Sequence, residues 1–119
     1  MIDKVNLEEK FALFDEQWSP KLVGQVNDMY VKLVKVEGEF IWHSHESEDE
    51  MFFVVKGEMT MRFRDRDVLV KPGEFIIIPH GEEHMPVTET ETQIMLIEPA
   101  STVNTGETES DRTRNPVEI

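Results

Sequence analysis

Three of the four histidines in this chain fall where their rings can meet. In His43-Ser44-His45 the two imidazoles lie two residues apart, and on an extended chain positions i and i+2 project from the same face. Glu50 follows five residues after His45, past the acidic segment Glu46–Asp49, where an antiparallel return brings it beside the pair. His84 opens a later extended run directly after Pro79-His80-Gly81-Glu82-Glu83. Neutral imidazole and carboxylate together suit a divalent first-row metal. A single histidine on an apolar strand is more often a hydrogen-bonded core residue. Two imidazoles turned into one interior carry a desolvation cost that a bound metal removes. Glu50 and His84 at turn-defined positions then shift the reading to a metal centre, with Glu46, Glu48 and Asp49 as competing carboxylates. His80, set between Pro79 and Gly81 in a loop, reads as a rim or surface residue.

The elements that must position these side chains are short and extended. Asn6 followed by Glu9 predicts a capped helix start, and Leu7, Phe11 and Phe14 at helical spacing predict an amphipathic helix over about 7–16. Ser19-Pro20 ends it. Strand-like runs follow at Lys21–Val26, Met29–Val36, Phe40–His45, Met51–Lys56, Glu58–Arg64, Asp67–Val70, Phe75–Ile78, His84–Val87 and Gln93–Ile97. Met59, Met61 and Phe63 alternate with Thr60, Arg62 and Arg64, the pattern of a half-buried strand. Phe75–Ile78 is continuously apolar and is expected to be buried on both faces. Many short strands punctuated by turn residues predict an antiparallel sandwich or barrel. Beyond Pro99 the composition turns polar, so residues 1–99 are read as one domain and 100–119 as a tail, either disordered or draped over the domain or a partner.

Composition narrows the function classes. At 119 residues the chain can bury one core without staples. It has no cysteine, which removes disulfides, thiolate metal sites and cysteine nucleophiles. No apolar run approaches the length of a membrane span, and Met1 to Phe11 lacks the apolar stretch of a secretion signal, so a soluble cytoplasmic protein is expected. The formal net charge of -13 repels phosphate backbones, making nucleic acid an unsuitable partner.

Two segments give a family resemblance. Gly38-Glu-Phe-Ile-Trp-His43-Ser-His45-Glu-Ser-Glu-Asp-Glu50, closing at Gly57, resembles the first motif of the cupin superfamily. Gly73-Glu-Phe-Ile-Ile-Ile-Pro79-His-Gly81-Glu-Glu-His84 resembles the second. Together they cover about 38–88. Four residues separate Gly38 from His43 where the pattern usually has five, and Thr88 stands where the pattern has Asn. The resemblance implies an all-β fold, a cupin-type double-stranded β-barrel or jelly roll, here with a short N-terminal helix. It implies His43, His45, Glu50 and His84 as ligands of a divalent transition metal: iron, manganese, nickel, copper or zinc. Four protein ligands on an octahedral ion leave two positions for water, substrate or dioxygen.

These readings lead to a metal-dependent enzyme acting on a small molecule, by dioxygenase, isomerase or lyase chemistry, in a barrel lined by Ile41, Phe52, Met61 and Phe63. The catalytic residues are left open; Tyr30, Glu39 and Glu98 are available as acids or bases. The acidic loops are expected to oppose a phosphorylated substrate. A non-catalytic ligand-binding or sensing module with a structural metal is the second reading, and a barrel that keeps the ligands but binds no metal is the third. Trp42, Phe53 and Val55 leave a second apolar face needing cover, and small cupins commonly dimerise, so a homodimer is expected.

Overall fold

Period-two patterning dictates most of the architecture seen in the computed structural model, which describes residues 2–119; Met1 of the expected 1–99 domain lies outside the described residues. One helix, α1 (Leu7–Phe11), precedes the strands β1 (Lys21–Val26), β2 (Met29–Glu39), β3 (Glu50–Lys56), β4 (Met59–Phe63), β5 (Asp67–Val70), β6 (Phe75–Ile78), β7 (His84–Pro99) and β8 (Val117–Glu118). Their order is β5-β4-β7-β2-β1-β8, with β3 pairing both β6 and β7. The long strand β7 organises the sheet. One edge runs antiparallel along β2 from Met29↔Pro99 to Glu39↔Val87. Its other edge is shared, residues 84–87 with β4 and 93–97 with β3. Inward side chains from β2 to β7 meet in a single cluster that includes Val34, Phe52, Val54, Met61, Ile78 and Ile94.

Lys32, Val34 and Val36 face that cluster, whereas Leu33 faces the other way, onto Phe11 and Phe14. Both faces of the middle of β2 are therefore covered, the second by the N-terminal segment. Asn6 caps α1 as expected, its side chain accepting from Glu9 N at 2.9 Å. The helix ends at Phe11 and not near residue 16. The carbonyl of Phe14 accepts from the buried Lys35 Nζ at 2.7 Å, and Phe11 and Phe14 both stay buried with ring centroids 5.9 Å apart.

Several other expectations change. The runs His84–Val87 and Gln93–Ile97 are one strand, because Thr88 and Thr92 still pair with β2 across a register shift that leaves residues 89–91 exposed. Thr88 Oγ1 donates to Val36 O at 3.1 Å and Thr92 Oγ1 to Glu58 O at 3.2 Å, so both buried hydroxyls are satisfied. Phe40–His45 forms no strand; a single bridge joins His43 to His84. Strand β6 is not buried on both faces, since Phe75 and Ile77 are each 58% exposed. It pairs only with β3, and nothing among the described residues covers its outer side. The polar tail is draped over the domain: it ends in β8, parallel to β1 through Lys21↔Val117 and Leu22↔Glu118. Among the described residues no helix is long and apolar enough to cross a membrane.

Candidate metal centre

The single bridge between His43 and His84 builds the site. His43 N donates to His84 O at 3.0 Å and His84 N to His43 O at 2.9 Å, which clamps the His43–His45 segment to the start of β7. Gly81 N donates to His45 O at 2.7 Å and tightens the same junction. Glu50, the first residue of β3, enters from the neighbouring strand. The side chains of His43, His45, Glu50 and His84 are all buried, and one donor atom from each lies within 4.8 Å of the others. Donors bound about 2.0–2.2 Å from one ion lie at most about 4.4 Å apart, so shifts of a few tenths of an ångström close the set on a metal.

Hydrogen bonding leaves the right atoms free. His43 Nδ1–H donates to Ile41 O at 2.9 Å and His84 Nδ1–H to Glu82 O at 2.8 Å, which turns each Nε2 toward the centre, as carbonyl partners do for metal-binding imidazoles. His45 Nε2 and His84 Nε2 approach Glu50 Oε1 at 2.8 and 3.2 Å. None of these three atoms is aligned for a hydrogen bond, although all are fully buried. Orphaned donors converging in a dry interior are what an ion would satisfy.

Charge points the same way. Burial, then the neighbouring His84, pushes the His43 imidazole down to about 4, so it is neutral at pH 7. Burial by itself raises Glu50, but the imidazoles of His45 and His84 and the carboxyl of Glu98 outweigh it and hold Glu50 well below the usual carboxylate range. A neutral imidazole and an ionised carboxylate are the forms that bind metal.

Beside the centre lies a small cavity that opens to solvent. Its walls are mostly apolar, with Trp18, Phe40, Phe52, Met59 and Leu96 prominent, and His43 and Glu50 reach it from the metal side. Phe52 lines the cavity as expected. Met61 and Phe63 belong to the packed core instead, and Ile41 contributes its carbonyl to His43. His80 stands apart, exposed, with Nδ1 2.9 Å from Asp49 Oδ1. The competing carboxylates also point elsewhere: Asp49 to His80, Glu48 to Ser101 Oγ.

Trp18 and Asn104 in the cavity go beyond the sequence reading, and Glu98, read there only as an available acid or base, gains a defined setting. Glu98 is 2% exposed, lies 2.9 Å from Lys32 Nζ through Oε1, and has no partner for Oε2. Burial, then the neighbouring Glu50, raises its pKa well above the carboxylate range. Lys32 is in phase with Val34 and Val36, and Glu98 with Ile94 and Leu96, so opposite charges on inward positions of paired strands were the signal for this pair. Trp18 lines the cavity with a φ of 57°, costly backbone for a bulky residue. It is held by Nε1 donating to Glu37 O at 3.0 Å and by stacking on Phe40 at 4.9 Å. Asn104 reaches the cavity from the tail, and no local pattern marks either residue.

A model of the cupin domain matches residues 29–98. A cupin-2 domain containing protein from Shewanella frigidimarina is 46% identical, with a TM-score of 0.79 over 80% of this chain and 93% of that one. The protein YdbB of Bacillus subtilis is 34% identical over 93 residues, 77% of this chain and 76% of the relative. A 3-hydroxyanthranilate 3,4-dioxygenase of Aspergillus clavatus is 34% identical over 77 residues, and that match takes in 60% of this chain but only 40% of the dioxygenase.

Proposed function

Because the chain belongs to the cupin domain family, we propose that its strands form the family's jelly-roll barrel around a divalent transition metal and that the protein is a metal-dependent enzyme acting on a small molecule. The observation that carries this is the buried set His43, His45, Glu50 and His84, placed at the side of an apolar cavity with three donor atoms unsatisfied. A bound metal of this kind supplies Lewis-acid polarisation or dioxygen activation. The chain's own residues do the rest. Trp18, Phe40 and Phe52 exclude water and hold an apolar body against the centre, while Glu98 offers one buried polar contact within the cavity.

The cavity lining contains Glu50 and Glu98 and no lysine or arginine. With no fixed cation in the lining to pair a substrate phosphate or carboxylate, an uncharged molecule is favoured. Similarity to part of a 3-hydroxyanthranilate dioxygenase supports ring-oxygen chemistry as the first reaction to test. The experiment is oxygen uptake by iron-loaded protein with 2-aminophenol and catechol, set against the anionic 3-hydroxyanthranilate. Uptake with the uncharged probes, abolished by His84→Ala, supports the enzyme. The second reading, a binding module with a structural metal, draws on Glu98 being the one ionisable side chain in the lining besides the proposed ligands, and tied to Lys32. Tight binding of these probes without turnover would favour it.

We also propose that two copies pair through the outer face of β6, β3 and β7. Rows Ile77–Met51–Ile97 and Phe75–Phe53–Met95 cross these strands in register. The exposed Phe75 and Ile77 on this face are apolar in a chain of net charge -13, so it is where two like-charged copies can meet.

A further inference from the structure

His45 differs from the other two histidines in what holds its ring. His43 and His84 each spend Nδ1 on a main-chain carbonyl, whereas His45 Nδ1 is buried without a hydrogen-bond partner. What lies against it is the C-terminal segment. A β-carbon on Gly106 would fall 3.3 Å from His45 Nδ1 and 2.0 Å from Ser44 O, and Gly106 has a φ of +59° that disfavours any side chain. The neighbouring residue fastens the contact: Glu107 N donates to Ser44 O at 2.9 Å, and Glu107 Oε1 accepts from Glu46 N at 3.2 Å. The segment is itself braced, with the hydroxyls of Thr105 and Thr113 2.6 Å apart.

Resting on the metal-centre reading, we infer that the C-terminal segment around Gly106 is the positioning element for His45: it fixes by packing the one candidate ligand whose ring no hydrogen bond orients. The segment closes over residues 44–46. Gly106 and Glu107 touch no substrate position and act only through His45.

The test is Gly106→Ala, with Co²⁺ alone as the metal probe. Outer-sphere partners of a metal ligand are typically worth about 10–100-fold in affinity, and a loss in that range is expected. The loss vanishes when His45 is already Ala, because the two changes act on one ligand. In metal-free protein, two-bond ¹H–¹⁵N spectra of the imidazoles show His45 shifted or broadened, with His43 and His84 unchanged. Should Gly106→Ala unfold the chain, Glu107→Ala and Thr113→Val loosen the same contact without backbone strain and shift His45 in the same direction. Unchanged Co²⁺ affinity together with an unchanged His45 signal overturns the inference, as does an affinity loss of equal size with and without His45. If wild-type protein binds no Co²⁺, the metal reading fails, and the imidazole spectra still decide whether the segment holds His45.

Discussion

His43 and Glu98 titrate in opposite directions inside one cavity. The His43 imidazole is pushed down from 6.5 to about 4, so as pH falls below 6.5 the unfolded chain takes up a proton that the fold refuses, and stability is lost. Glu98 is raised above 4.5, so as pH rises past 4.5 the unfolded chain releases a proton that the fold retains, and stability is lost in that direction. Between pH 4.5 and 6.5 the two slopes oppose each other in metal-free protein. Glu98→Gln keeps the hydrogen-bonding shape of the protonated acid and removes its titration. Urea unfolding of metal-free E98Q should therefore show stability rising more steeply with pH across this window than wild type does. Parallel profiles would contradict the assignment. The four candidate ligands could be read from sequence because His-x-His and the turn residues fix their separations along the chain. Trp18 could not, since its φ of 57° follows from contacts with Glu37 and Phe40, some twenty residues away.

At the scale of elements, α1 is five residues long and too short to be stable alone, so its contribution comes from the apolar side chains it delivers to the back of β2. Phe11 is 2% exposed there, whereas Leu13 is 65% exposed. Phe11→Ala should cost about 3–5 kcal/mol in denaturant unfolding, and Leu13→Ala less than about 0.5. Similar costs for both would mean the segment does not pack as described. Gly57 turns β3 into β4 at φ +89°, and a β-carbon would sit 2.5 Å from Thr92 Oγ1, so Gly57→Ala should lower stability by about 1–3 kcal/mol. Strand alternation made β4 legible, and bounding turn residues did so for β1 and β5. The unity of β7 was hidden because Thr88–Thr92 looks like a loop until its hydroxyls are seen bonding to carbonyls of other segments. The path of residues 100–119 was hidden for the same reason: polar side chains that cap distant main chain leave no periodic trace.

For the whole molecule, the acidic composition and the exposed apolar residues of β6 make one statement about association. Phe75 and Ile77 stand exposed on an edge strand, which carries an aggregation hazard unless a partner covers it. Light scattering should report a dimer at micromolar concentration that Phe75→Glu converts to a folded monomer; a wild-type monomer would remove the pairing. Membership of the cupin family was legible because two motifs in order constrain both turns and ligands, whereas Trp18 and Asn104 reach the cavity through contacts across long stretches of chain. The account as a whole rests on a metal held by His43, His45, Glu50 and His84. Elemental analysis of protein purified without a histidine tag or added metal tests it most directly, with His45→Ala, His84→Ala and His80→Ala alongside. Near-stoichiometric iron, manganese, nickel, copper or zinc, lost in the first two variants and kept in the third, is the predicted result. Metal-free protein that stays empty after reconstitution, or equal loss on His80→Ala, would contradict it.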